Sequence, residues 1–233
     1  MGKITKKWHI FLREDNNNSF QIYCDMDGVL VDLEAGIEKR LDKKLKELSD
    51  DENTKPDVLQ KAIEVHEKAI QVLHSGMFWQ TLKQDPGFSD GVDAIINVLN
   101  EGTDLERKNF WATLPPEPDA MELWRWLNQV LKHSPIILSA PWPRKIIGEE
   151  EPVIDQACVD GKKEWLKVLV PQPKDVILTL KKEEHAAGNH ILIDDMLEKY
   201  VEPWRGAGGI AVHHTSTENT KEELKEKLKK WLD

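Results

Sequence analysis

Three short apolar runs in this chain end on polar side chains, and that recurrence restricts the fold more than any other feature. Phe20-Gln21-Ile22-Tyr23-Cys24 runs into Asp25-Met26-Asp27-Gly28, Pro135-Ile136-Ile137-Leu138 into Ser139, and His190-Ile191-Leu192-Ile193 into Asp194-Asp195. Each has the length and the β-branched or aromatic content of a buried strand. Further strands are expected at Val176-Ile177-Leu178-Thr179 and Ile210-Ala211-Val212, with a glycine break over 206–209 before the latter. Helical patterns alternate with them: Met121, Trp124, Leu127 and Leu131; Trp165 to Leu169; Met196 to Arg205; and Leu224, Leu228, Trp231 and Leu232 at the C-terminus. The alternation predicts an α/β fold, a doubly wound and mostly parallel sheet with helices on both faces.

One stretch breaks the rhythm. From Leu33 the apolar positions Leu33, Ile37, Leu41, Leu45 and Leu48 recur at helical spacing, and a second helix starts near Pro56 and carries Leu59, Ala62, Ile63, Ala69, Ile70 and Leu73. A third places Val92, Ile95, Ile96 and Leu99 on one side. The block 33–109 therefore reads as a helical cap inserted after the first acidic turn, leaving 1–32 and 110–233 as the core. Ahead of it, Trp8-His9-Ile10-Phe11-Leu12 and the first core strand are separated by turn-forming residues and read as a hairpin, or as a frayed arm before a strand. The pentamers Phe78–Leu82 and Phe110–Leu114 share four of five letters, which is coincidence or two aromatic corners facing one cleft.

Composition narrows the function classes. In 233 residues, 32 Lys and Arg against 42 Asp and Glu leave a net charge of −10, a field that repels polyanions, so duplex nucleic acid is not an expected partner. No apolar run approaches the ~20 residues of a membrane span, and the N-terminus lacks the apolar block of a secretory signal. A soluble cytoplasmic protein is expected, with no membrane partner. Cys24 and Cys158 are too few for a disulfide framework and have no metal-ligand spacing.

The strand ends carry the chemistry. In a parallel sheet they share one edge, so Asp25 and Asp27, Ser139, and Asp194 and Asp195 can converge on one pocket. Taken singly each is bland: Asp-x-Asp-Gly is turn chemistry, paired acids cap helices, and Lys181 and Lys182 are ordinary surface charges. Taken together, four carboxylates in one cleft repel each other and call for a cation. Hard oxygen ligands at an open site select Mg²⁺. A magnesium ion among acids, a hydroxyl and a lysine suits a phosphate ester.

Asp25-Met26-Asp27-Gly28-Val29-Leu30, Ile137-Leu138-Ser139 and Ile191-Leu192-Ile193-Asp194-Asp195 resemble the first, second and fourth motifs of the haloacid dehalogenase-like (HAD) superfamily of phosphohydrolases. Within it, Phe110-Trp111 with the proline-rich hinge, Ser139-Ala140-Pro141, Gly161-Lys162-Lys163-Glu164-Trp165 and the run from Val176 to Asp195 are most similar to the 5′(3′)-deoxyribonucleotidases. The resemblance implies a Mg²⁺-dependent phosphatase for small phosphate monoesters, nucleoside monophosphates by the subfamily likeness, with sugar or other metabolite phosphates, or a non-catalytic phosphate-binding module, as alternatives.

It also implies roles. Asp25 is the nucleophile, and Asp27 is the acid that protonates the leaving oxygen and then the base that activates water. Ser139 and a lysine stabilise the phosphoryl oxygens; the family spacing picks Lys182, with Lys181 the alternative. Lys162 and Ala140 contact the substrate. Phe110 and Trp111 stack on a base, or plug the cap hinge. The metal is held by Asp25, the Asp27 backbone carbonyl and the Asp194-Asp195 pair, Asp195 being favoured as the direct ligand. The spacing from Lys182 to Asp194 and the stretch from Trp142 to Asp160 are longer than in the similar nucleotidases, and Ala140 replaces a hydroxyl residue. His213 and His214 receive no role, and a homodimer is left open.

Overall fold

The computed structural model describes residues 20–75, 85–131, 133–144 and 153–229. The run Trp8–Leu12 and the pentamer at 78–82 lie outside these residues. The chain divides into two compact units, one of Leu33–Pro115 and one formed by the segments on either side of it.

The flanking segments build a five-stranded parallel sheet: β1 (Gln21–Cys24), β2 (Ile136–Ser139), β5 (Val176–Leu178), β6 (His190–Asp194) and β7 (Ile210–His213), in the order β5-β2-β1-β6-β7. From β1 the chain steps outward to β2 and β5, then crosses back to β6 and β7 on the other side. The reversal falls between β1 and β6, and ligands of open α/β sheets bind outside the carboxyl ends of the strands at such a point.

Both faces of the sheet are covered. Tyr23, Leu192 and Ala211, side by side in register, pack with Leu138, Tyr200, Val201 and Trp204. The alternate residues Ile22, Cys24, Ile137, Ile191, Ile193 and Val212 are buried too. A strand covered on both faces reads as an unbroken apolar run, which is why β1 and β6 are legible in sequence.

Around the sheet lie α5 (Ala120–Val130), α6 (Gln156–Trp165), α7 (Glu202–Gly206) and α8 (Thr217–Lys229), and a small antiparallel pair, β3 (Pro143–Arg144) with β4 (Val153–Ile154). Two helix expectations shift. The helix anticipated at Trp165 to Leu169 lies earlier, as α6, and the chain tightens to 3₁₀ over Leu166–Val168. Met196 to Arg205 is not one α-helix: Leu197–Val201 is a π-helix, followed by α7.

The other unit is helical: α1 (Leu33–Asp50), α2 (Pro56–Leu73), α3 (Ser89–Asn100) and α4 (Asp104–Ala112). Ile37, Leu41, Ala69, Leu73, Val92, Ile95 and Leu99 are buried where the sequence spacing places them, Val72 and Val98 join them, and Leu48 at the far end of α1 is exposed. A methyl group on Gly91 would sit 2.7 Å from the Lys68 carbonyl, so glycine there is what lets α3 pack against the α2 backbone. The sequence reading ends this block at 109. The compact unit runs on to Pro115 because α4 spans that point.

Candidate active site

The backbone sets Asp25 at the mouth of the sheet. Its N–H donates to the Ile193 carbonyl at 2.9 Å, carrying the β1–β6 ladder one residue past β1. The chain then folds back on the Met26 carbonyl, which accepts from the Leu30 and Val31 amides at 2.8 and 2.9 Å. Gly28 turns this corner at φ 71°, and a side chain there would overlap the Asp195 carboxylate. The glycine thus brings the β1 turn against the end of β6.

Two buried lysines organise the acids. Lys162, on α6 and fully buried, donates to Asp27 Oδ2 at 2.5 Å, Ser139 Oγ at 3.0 Å and the Ala140 carbonyl at 2.9 Å. Lys182, also fully buried, donates to Asp194 Oδ2 at 2.7 Å and stands 2.9 Å from Asp25 Oδ1. Lys181 faces outward and pairs with Glu184. Of the two candidate lysines, only Lys182 is therefore in the cluster. Asp194 uses its other oxygen to accept the Met196 amide at 2.9 Å. Asp195 Oδ1 and Asp27 Oδ1 are buried with no hydrogen-bond partner.

One carboxylate oxygen from each of Asp25, Asp194 and Asp195 lies within 4.8 Å of the others. Two lysines against four carboxyl groups leave this largely buried site short of positive charge. Burial and mutual repulsion act together on these groups. Burial pushes the Asp195 carboxyl well above the usual carboxylate range, and the charges of Asp194 and Asp25 push it further. Burial raises Asp194 to about 6 despite Lys182, and raises Asp27 despite Lys162. For the ammonium groups burial acts the other way, but the acids outweigh it. Asp27 leads in raising Lys162, and Asp194 with Asp25 raises Lys182. Both lysines stay charged.

A divalent cation fits this donor set. The ligands are hard oxygens, the net charge is negative, and an oxygen of Asp195 lacks a protein partner. Lys162 engages Oδ2 of Asp27, and the cluster of candidate ligands is formed by Asp25, Asp194 and Asp195.

The remaining predicted residues sort differently. Ala140 contributes its carbonyl to Lys162, while its side chain packs against the Tyr23–Trp204 cluster. Phe110 and Trp111 belong to the helical unit. There they meet edge to face at 5.2 Å between ring centres, and the Arg40 guanidinium covers Phe110 at 5.2 Å. Trp111 is 1% exposed, so its ring is packed.

Two residues at the site escaped the sequence reading. His213 lies opposite Asp194 in the β6–β7 register, and its Nε2 is 2.9 Å from the Asp195 carbonyl oxygen. A carbonyl only accepts, so the proton is on Nε2. Tyr200 lies with its ring under the Lys182 ammonium, 4.1 Å from the ring centre. Position in the β7 strand was a usable signal for His213. Tyr200 gave none, because a helix of ordinary pitch was expected there.

No protein-family model matches the chain, and no curated protein matches it. Among solved structures it is similar to a hydrolase from Streptococcus pneumoniae, at 11% identity and a TM-score of 0.48, with 88% of this chain and 98% of that chain covered. It is also similar to a HAD-hydrolase from Bacillus subtilis crystallised with magnesium, at 13% identity and a TM-score of 0.43, covering 82% and 85%. A HAD-superfamily hydrolase of subfamily IA from Geobacter sulfurreducens gives 10% identity and a TM-score of 0.41, covering 85% and 88%. The functional reading rests on the site itself.

Proposed function

We propose that this chain is a Mg²⁺-dependent phosphohydrolase of the HAD type, hydrolysing small phosphate monoesters through an aspartyl-phosphate. The observation that carries the reading is the convergence of Asp25, Asp194 and Asp195 on one point, with Lys182 bonded between the first two. Nucleoside monophosphates are the substrate class that the subfamily likeness favours. A net charge of −10 weighs against duplex nucleic acid.

A Mg²⁺ held by Asp25, the Asp27 carbonyl and the Asp194-Asp195 pair would offset the charge between carboxylate and phosphate and polarise a phosphoryl oxygen. The protein's own groups do the rest. Asp25 attacks phosphorus in line; its O–P bond forms as the bond to the leaving oxygen breaks. Lys182 holds the Asp25 carboxylate in place for that attack. Asp27 passes a proton to the leaving oxygen. Its raised pKa favours the protonated form, and the unpartnered Oδ1 is free to carry the proton while Lys162 grips Oδ2. In the second half Asp27 takes a proton from water, water adds to phosphorus, and the Asp25 O–P bond breaks. Ser139, whose Oγ accepts from Lys162, would donate its own hydroxyl proton to a phosphoryl oxygen.

Phosphate release from a panel of nucleotides, sugar phosphates and other monoesters, with and without chelator, tests the reading. Asp25→Asn keeps the shape and removes the attacking charge, so kcat is expected to fall by about four orders of magnitude or more while the fold persists. Retained turnover in that variant would show that the nucleophile is misassigned. Equal rates on nucleotides and sugar phosphates would shift the substrate class, and phosphate binding without release would leave a non-catalytic module.

A further inference from the structure

Lys182 is shut off from bulk solvent and has two carboxylates to hold it. It is fully buried, bonded to Asp194 Oδ2 and paired with Asp25 Oδ1. On the proposed mechanism the second of these changes during turnover, because the Asp25 carboxylate loses its charge when it becomes an acyl phosphate. A lysine on a flexible stem would then be held by Asp194 alone among the acids. The structure supplies a partner that does not change.

That partner is the face of Tyr200. The Lys182 ammonium is 4.1 Å from the ring centre, well inside the range in which the negative face of an aromatic ring attracts a cation, and both groups are buried. The Lys199 ammonium lies 5.0 Å from the same ring. The tyrosine is not there for its hydroxyl, which is buried with no hydrogen-bond partner, whereas buried tyrosine hydroxyls usually find one. The ring is immobilised by its neighbours, in the cluster formed by Tyr23, Leu192, Trp204 and Ala211. The backbone that delivers it is unusual in the same place. Between Asp195 and α7 the chain widens into the π-helix Leu197–Val201, and the Met196 carbonyl accepts from both the Tyr200 and Val201 amides, at 3.0 and 3.2 Å. Widened turns of this kind recur at functional sites, because they re-aim one side chain at a cost in helix geometry.

We propose that Tyr200 is a positioning residue that acts through Lys182: its ring face holds the ammonium at the junction of Asp25 and Asp194 throughout turnover. This rests on the phosphohydrolase reading for its kinetic consequence, but not for the contact itself. Removal of the ring leaves the lysine present and charged, but held by Asp194 alone once Asp25 is phosphorylated.

The test uses the full chain and a series at position 200: Tyr200→Phe, Tyr200→3,4,5-trifluorophenylalanine and Tyr200→Leu. Fluorination drains the negative face while keeping the shape, so a packing role is blind to it. Loss of a desolvated cation–π contact corresponds to a roughly tenfold or greater fall in kcat for Tyr200→Leu, with KM moving by less than about twofold. Phenylalanine should rescue kcat to near the tyrosine value, and the trifluoro ring should fall between. In a Lys182→Met background, Tyr200→Leu should cost nothing further. Equal kcat for phenylalanine and trifluorophenylalanine, or a Tyr200→Leu penalty that persists without Lys182, would overturn the proposal. A second arm is independent of turnover. The Lys182 ammonium protons should show a ring-current shift by NMR that tyrosine and phenylalanine preserve and leucine abolishes. Absence of that shift in the unmodified protein would overturn the contact. A wild-type protein that shows the shift but releases phosphate from no ester would instead refute the phosphohydrolase reading. If the leucine variant does not fold, the fluorinated series decides.

Discussion

Gly28 carries two constraints at once, a left-handed backbone and the close approach of the Asp195 carboxylate. Alanine meets both. Forcing a Cβ into that conformation costs about 1–2 kcal/mol, and the methyl must displace the Asp195 side chain as well. Gly28→Ala is expected to lower the thermal midpoint and to weaken Mg²⁺ binding measured by titration calorimetry. A variant with wild-type Mg²⁺ affinity would show that Asp195 does not depend on this corner. The acidic residues themselves were legible in sequence, since Asp25, Asp27, Asp194 and Asp195 stand at the ends of apolar runs. Their pairings were not. That Lys162 serves Asp27 while Lys182 serves Asp194 depends on contacts across 135 and 12 residues of chain, which no local pattern encodes.

At the scale of the element, legibility followed periodicity. The helices α1 to α3 and strands β1, β2 and β6 bury regular apolar positions, and each was readable from them. α4 was not, because it exposes Leu105 and buries Arg107. It had another signal: Thr103 and Glu106 form a capping box, with the Thr103 hydroxyl accepting the Glu106 amide and Glu106 accepting the Thr103 amide. Thr103→Ala should cost about 1 kcal/mol, read as an earlier midpoint in chemical denaturation, and an unchanged midpoint would mean the cap contributes nothing. α6 was misplaced for a related reason. Its inward face includes Gly161 and Lys162, so a buried lysine of the site breaks the apolar pattern that would have marked the helix. The π turn at Leu197–Val201 carries Tyr200 and Val201 into the cluster they form with Trp204 on the sheet.

For the whole molecule the imbalance of buried charge sets a pH dependence. The Asp194 carboxyl, raised to about 6 by burial, binds its proton more tightly in the folded chain than in the unfolded one. Its contribution to stability is therefore complete below the unfolded value, ~3.9, and is lost as pH rises through about 6. Asp27 and Asp195 shift in the same direction. The metal-free protein should lose thermal stability between about pH 4 and pH 7, by several degrees for a chain of this size, and millimolar Mg²⁺ should flatten that decline. Scanning calorimetry across this range, with chelator and with Mg²⁺, checks it. A midpoint that rises with pH in chelator would contradict the charge balance described for the site.

Apolar runs, their order and the acids that close them are properties of the chain read alone, because burial of a strand or helix face is written in residue spacing. So the α/β class, the helical insertion after the first acidic turn and the identity of the acidic residues could be obtained from the sequence. The choice of Lys182 over Lys181, the inward turn of Lys162, the service of His213 to the Asp195 carbonyl and the ring of Tyr200 beneath a buried ammonium came only with the tertiary structure. Each depends on which groups meet where the strand order reverses between β1 and β6, and the energies that decide it, of desolvation and of charge at short range, exist only once water has been excluded from that meeting point.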